Sequence, residues 1–171
     1  MYEEIIIAGS GGQGIMFFGT LLCNIAVLQN KFTTFFPSYG AAIRGDTANC
    51  SVIISDNEIG SPVITEPTVL IAMSEQSYIK FSPKLKKNGL LFVNSSLVSS
   101  VSSNAVSIPA TEIALQVGDV RTANMVMLGK FIAYTKIFTV EASAGIIKNV
   151  LQSKINIQEV NLSAFMRGIK L

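Results

Sequence analysis

Short apolar runs alternate along this chain with longer segments of helical spacing. The first run, EEIIIA from Glu3 to Ala8, has the length and continuous apolarity of a strand buried on both faces. A glycine loop, GSGGQG from Gly9 to Gly14, separates it from an apolar stretch that predicts a helix from about Ile15 to Gln29. That helix is apolar nearly all round, so it should be covered on more than one side. Lys31 to Phe36 predicts a second strand closed by Pro37, and SVIIS a third. DNEIG, Asp56 to Gly60, has the character of a hairpin turn. VLIAM, Val69 to Met73, predicts another buried strand, with Ser74 as N-cap of a helix from Glu75 to Phe81. LLFVN follows a turn at Gly89. Ser95 to Asn104 predicts a surface loop, because its serine hydroxyls compete for the backbone. A short strand, Pro109 and a helix starting at Thr111 come next. Helices are then expected over Ala123 to Tyr134 and Val140 to Gln152, with a weaker helical pattern from about Ile157 to Gly168.

Strand and helix alternate throughout, with no internal repeat and no linker. The pattern predicts a single α/β domain over residues 1–171, a three-layer domain with a mostly parallel sheet plus an antiparallel hairpin. Its first βα unit is Rossmann-like.

Composition narrows the function. Of the 171 residues 49% are hydrophobic and only 14% charged, with a mean hydropathy of +0.48. Soluble domains usually carry about 25% charged residues, so part of this surface is expected to meet a partner. A net charge of +2 without a basic cluster excludes a nucleic-acid role. There is no histidine, and Cys23 and Cys50 form no C-x-x-C, so neither an iron–sulfur nor a zinc site is expected within the chain. The apolar stretch from Ile15 to Leu28 is short for a membrane span, and the chain begins MYEE rather than with basic residues. The expectation is a cytoplasmic protein that does not use a membrane.

Gly9, Gly11 and Gly14 satisfy G-x-G-x-x-G, the dinucleotide-binding fingerprint. That fingerprint calls for an acidic residue about 20 positions on to grip the ribose. The segment there, QNKFTTFFPSYG, holds no acid and no arginine, which argues against a nicotinamide or flavin dinucleotide. Two uses of the loop stay open. Gly9, Gly11, Gly12, Gln13 and Gly14 can form a tight packing turn, or offer N–H groups at a helix N-terminus to an anion. Tyr39 and Arg44, in PSYGAAIRGDTANC, form a second candidate site, in which Arg44 can meet an oxyanion or pair with Asp46. Asn124, in TANMVMLG, is a third candidate, either a cap on a core helix or a polar contact for a ligand. No nucleophile–base pair and no carboxylate pair emerges, so no catalytic residue and no metal ligand is assigned. The residues describe a binding or completing domain.

GSGGQG, PSYGAAIRGDTANCSVIISD, IGSP, VLIAM, GLLFVNSSL, IPATEIA and ANMVMLG follow one another in this order. Together, from about Ile5 to Gly129, they resemble the gamma subunit of the 2-oxoacid:ferredoxin oxidoreductases. The resemblance implies an α/β domain that carries no cofactor of its own. It implies alpha, beta and ferredoxin-like delta subunits as partners, and ferredoxin as the electron acceptor of the complex. Thiamine diphosphate with magnesium, iron–sulfur clusters and coenzyme A would serve the assembled enzyme. The RGDTANC stretch is most similar to the 2-oxoglutarate type, with 2-oxoisovalerate and pyruvate as alternatives. It departs from the usual YGPEMRGGTANC form at Ala41, Ala42 and Asp46. The same resemblance implies a place near the active-site entrance and a role in receiving coenzyme A, for which the glycine loop, Tyr39, Arg44 and Asn124 are the candidate contacts. A stand-alone Rossmann oxidoreductase and a non-catalytic interaction module are the competing readings. The apolar surface also allows the isolated chain to form a homodimer.

Overall fold

The computed structural model describes residues 1–38, 47–153 and 155–171. Within them are six strands: β1 (Tyr2–Gly9), β2 (Phe32–Ser38), β3 (Ala48–Ser55), β4 (Val69–Ala72), β5 (Leu90–Asn94) and β6 (Val106–Ile108). They form one sheet in the order β2-β3-β1-β4-β5-β6. β1, β4, β5 and β6 run parallel, while β3 is antiparallel to both β1 and β2. Six helices accompany them: α1 (Ile15–Leu28), α2 (Glu75–Phe81), α3 (Ala110–Val117), α4 (Ala123–Thr135), α5 (Val140–Val150) and α6 (Ile155–Ile169). This is the expected three-layer α/β architecture.

Side-chain alternation sorts the layers. Ile5 and Ile7 of β1, with Cys50, Val52 and Ile54 of β3, join a large core with α1, α3, α4, α5 and α6. Ile6, Ala8 and Leu70 point the other way and pack with Phe81 at the end of α2. β4 is buried along its whole length, as a central parallel strand requires. α1 lies on the sheet and also touches α4 and α5, so its apolar circumference is covered on two sides.

Two expectations need correction. Asp56 to Gly60 is not a hairpin turn. The edge of β1 that faces β3 is already paired, Tyr2 to Ser55 through Gly9 to Ala48, so the chain leaves β3 and crosses to pair β4 with the other edge. The antiparallel hairpin partners are instead β2 and β3. Pro37 does not close β2 either. It sits inside the strand opposite Cys50, which an edge strand tolerates because the missing N–H costs no ladder bond on the outer side.

Local chemistry sets the helix starts. Ser74 Oγ accepts from the Ser77 N–H at 3.3 Å, and Ser77 Oγ accepts from the Ser74 N–H at 3.1 Å, a capping box that starts α2 where the sequence predicts it. Thr139 caps α5 with a single bond, its Oγ1 accepting from the Ala142 N–H at 3.2 Å. The weak helical pattern at the end of the chain is a full helix, α6, because tertiary packing supplies what its propensity lacks. α6 lies so close to α4 that a Cβ on Gly168 would stand 2.0 Å from the Val126 carbonyl oxygen. One on Gly129 would stand 2.2 Å from that of Phe165.

Those two glycines are the packing limit of the helical layer. Gly168→Ala is expected to cost about 2–3 kcal/mol and to lower Tm by about 5–10 °C, read by calorimetry. Gly145→Ala, in α5 with nothing within 4 Å of the new methyl, should instead stabilise by about 0.5–1 kcal/mol. Equal effects at the two positions would refute the close-approach account.

Candidate functional site

β1 feeds α1 on one face of the sheet, and β4 feeds α2 on the other. The carboxyl ends of these neighbouring strands therefore open a crevice between two helix N-termini, the switch point at which open α/β sheets bind ligands. The glycine loop forms one wall. Gly12 and Gly14 have φ of 86° and 69°, left-handed values that a residue with a Cβ adopts only under strain. Gly14 is also the N-cap of α1 and supplies no side-chain acceptor. The first helical bond runs from the Phe18 N–H to the Gly14 carbonyl at 2.9 Å, which leaves the Ile15, Met16 and Phe17 N–H groups at the helix mouth. Gly11 and Gly12 are exposed, with no atom near enough to meet an added Cβ.

Gln13 holds this loop to the sheet. Its Oε1 accepts from the Ser10 N–H at 2.7 Å, and its Nε2 donates to the Met73 carbonyl at 3.1 Å. Both ends of the amide are thus engaged inside the chain. Asn124, on the first turn of α4 and 3% exposed, donates from Nδ2 to the Gly14 carbonyl at 3.2 Å. Its Oδ1 is buried and has no hydrogen-bond partner among the described residues. Gly9, Gly11, Gly12, Gln13, Gly14 and Asn124 therefore form one cluster. Tyr39 and Arg44 lie outside the described residues, as do Ala41, Ala42 and Asp46. β2 ends at Ser38, which pairs with Asn49, and β3 begins at Ala48, which pairs with Gly9, so both flanks of that segment stand at the same end of the sheet as the loop.

Sequence reasoning passed over two members of the rim. The Met73 carbonyl also accepts from Asn94 Nδ2 at 3.4 Å, and the same Nδ2 donates to Thr111 Oγ1 at 2.9 Å. Asn94 is fully buried at the carboxyl end of β5. The available signal was a polar residue ending an apolar strand. The rim so built presents amides, hydroxyls and backbone N–H groups, and none of these side chains is a base. It can hold an anion and fix its orientation, but it moves no proton.

The cysteines add no reactive group. Burial, and then the neighbouring Cys23, push the Cys50 thiol up to about 12, and burial raises Cys23 as well. Among the described residues no cluster of three His, Cys, Asp or Glu could hold a metal ion, and no helix is long and apolar enough to cross a membrane. The sheet order also separates this fold from a dinucleotide-binding one. There the second strand lies beside the first and brings the ribose-binding acid close, whereas here β3 stands between β1 and β2.

Residues 4–171 match the pyruvate ferredoxin/flavodoxin oxidoreductase pattern. The chain belongs to that family. It is 34% identical over 181 aligned positions to the 2-oxoglutarate synthase subunit KorC of Methanocaldococcus jannaschii, covering 100% of this chain and 94% of that one. It is 36% identical over 132 positions to the ketoisovalerate oxidoreductase subunit VorA of Methanothermobacter thermautotrophicus. That match takes in 76% of this chain but spans only 28% of the relative's length. The fold superposes on the crystal structure of the gamma subunit of a keto/oxoacid ferredoxin oxidoreductase from Geobacter sulfurreducens with a TM-score of 0.86. The identity there is 28%, covering 98% of this chain and 96% of that one.

Gln13→Ala is expected to cost roughly 1–3 kcal/mol in urea unfolding, because it leaves the Ser10 N–H unpaired and the loop untied. A cost below about 0.5 kcal/mol would remove Gln13 from this role. In the folded family member, Cys23 and Cys50 should stay unmodified by a disulfide reagent at pH 8 and react fully in denaturant. Folded Cys50 ionises only near 12, against 9.0 for an ordinary thiol. The native state therefore keeps a proton that the unfolded chain loses, and stability falls as pH rises through that window.

Proposed function

We propose that this chain is the gamma subunit of a 2-oxoacid:ferredoxin oxidoreductase that converts 2-oxoglutarate and coenzyme A to succinyl-coenzyme A and carbon dioxide, with ferredoxin taking the electrons. The observation that carries the substrate is the end-to-end match to KorC, whereas the VorA match spans a small part of a longer relative. The rim described above supports the role assigned to the subunit. It offers anion-binding N–H groups and no base, as befits a domain that receives a cofactor and leaves the redox chemistry to alpha, beta and ferredoxin-like delta subunits. Thiamine diphosphate with magnesium and the iron–sulfur clusters belong, on this reading, to those partners. The enzyme works in the cytoplasm, and this chain is inactive alone.

Coenzyme A supplies the thiol that carries the acyl group away. The cradle over Gly11 and Gly12, open where a Cβ would stand, fits one of its phosphates at the N-terminus of α1. Asn124, with an acceptor oxygen to spare, fits a donor on the same ligand. Gly9, Gln13 and Gly14 shape the loop, while Tyr39 and Arg44 belong to the segment that enters and leaves beside it.

The test is co-expression with alpha, beta and delta subunits and a coenzyme A-dependent, viologen-linked assay on 2-oxoglutarate, 2-oxoisovalerate and pyruvate. Activity should be highest on 2-oxoglutarate and vanish when this chain is omitted. Gly11→Asp, which fits sterically but sets a carboxylate in the cradle, should raise KM for coenzyme A about 10-fold or more, by charge repulsion worth roughly 1–2 kcal/mol, and leave KM for the 2-oxoacid unchanged. Activity on all three acids without this chain would defeat the proposal. An unchanged coenzyme A KM would remove the cradle from it.

A further inference from the structure

We propose that the outer edge of β2 is a self-association surface, on which two copies of this chain join β2 to β2 antiparallel about a two-fold axis at Thr34. This proposal does not depend on the reaction assigned above.

β2 ends the sheet, and among the described residues no strand covers its outer side. Long, uncharged, apolar edges are usually shortened, charged or covered, because an unpaired row of N–H and C=O groups recruits another strand. The opposite edge, β6, is only three residues long. β2 runs for seven residues, FTTFFPS, without a single charge. Only Pro37, near its end, blunts it. Phe32 and Phe36 are 47% and 52% exposed on one face, and Phe35 is 37% exposed on the other.

The occupant follows from the order of these residues. FTTFF reads the same in both directions except at one position, where Thr33 answers to Phe35. Antiparallel pairing centred on Thr34 sets Phe32 opposite Phe36 of the copy, twice. It sets Thr33 opposite Phe35 of the copy, and Thr34 opposite itself. Aromatic–aromatic, aromatic–β-branched and Thr–Thr pairs are the favourable cross-strand combinations. Residues 32, 34 and 36 share a face with Ser55, Ile53 and Ser51 of β3, and a two-fold axis perpendicular to the sheet keeps that face continuous between copies. Thr34 Oγ1 is buried without a partner among the described residues, and its copy supplies one. No like charges meet, because Lys31 falls opposite Pro37 of the copy and its ammonium already pairs with Asp56. At about 200 Å² per accessible ring, the three phenylalanines expose roughly 270 Å² per copy. With the paired backbones the contact lies at the low end of specific interfaces, giving a dimer of roughly micromolar affinity.

Sedimentation of the full chain between 1 and about 200 μM is the experiment, over a range that brackets that affinity. A monomer–dimer equilibrium is expected. Phe36→Glu and Phe32→Lys should each weaken it roughly 10- to 100-fold by removing both aromatic pairs. Phe32→Lys combined with Phe36→Glu should restore much of the loss, since opposite charges then face each other across the axis. Thr34→Cys should form a covalent dimer on mild oxidation, and Ser38→Cys, far from its own copy in this register, should not. A chain that stays monomeric throughout overturns the proposal. So does a dimer indifferent to these substitutions, a double variant no stronger than the single ones, or equal cross-linking at 34 and 38.

Discussion

β1 is the constraint on which the other elements depend. Ile5 to Gly9 are buried on both faces, and both edges of the strand are paired, antiparallel to β3 and parallel to β4. Nothing can leave this strand sideways, so the chain must turn at its end. The glycines perform that turn, and α1 must then lie back on the face that Ile5 and Ile7 present. β4 can only arrive on the remaining edge, and it carries its own helix to the opposite face. The crevice at the carboxyl ends of β1 and β4 is a consequence of that double occupancy.

What the crevice can do follows from how its polar groups are spent. Gln13 and Asn94 converge on one carbonyl, that of Met73, and lock the ends of β1, β4 and β5 together. Asn124 ties α4 to the same loop with one end of its amide. Among the described residues, the groups left over are backbone N–H groups at the mouth of α1 and the buried acceptor oxygen of Asn124. Such an arrangement orients a ligand rigidly because each supporting side chain is itself anchored. Among the described residues none of its side chains is a base.

The apolar excess in the composition is only partly consumed by the core. α4 is buried along most of its length, enclosed by α1, α3, α6 and β5, and its methionines Met125 and Met127 fill that interior. Part of the remainder surfaces along β2 and at the end of α1, where Val27 and Leu28 are exposed. Two of the acids take cationic partners. Asp56 meets Lys31 and the N-terminal ammonium, and its carboxyl is held down to about 2 by those hydrogen bonds. Asp119 meets Arg121. β2 itself carries no charge.

Strand cores, the glycine turn, the Ser74 cap and the order of elements were legible in the residues because each rests on neighbours within a few positions. The absence of histidine was legible too, and it left amides, hydroxyls and backbone N–H groups as the polar groups of the described rim. Partnerships were not legible. Asp56 to Gly60 carries every local mark of a hairpin, but which edge of β1 is free is settled by strands far away in sequence. Gln13 finds Met73 60 positions on, and Asn124 finds Gly14 across 110. Hydrogen bonds of that reach depend on which donors and acceptors the sheet has already paired, and α6 becomes a full helix only because the glycines of α4 and α6 let two backbones touch. The sequence by itself determined the pieces and their chemistry. Tertiary structure decided which pieces meet, because burial forces each polar group to take whatever partner the topology places beside it.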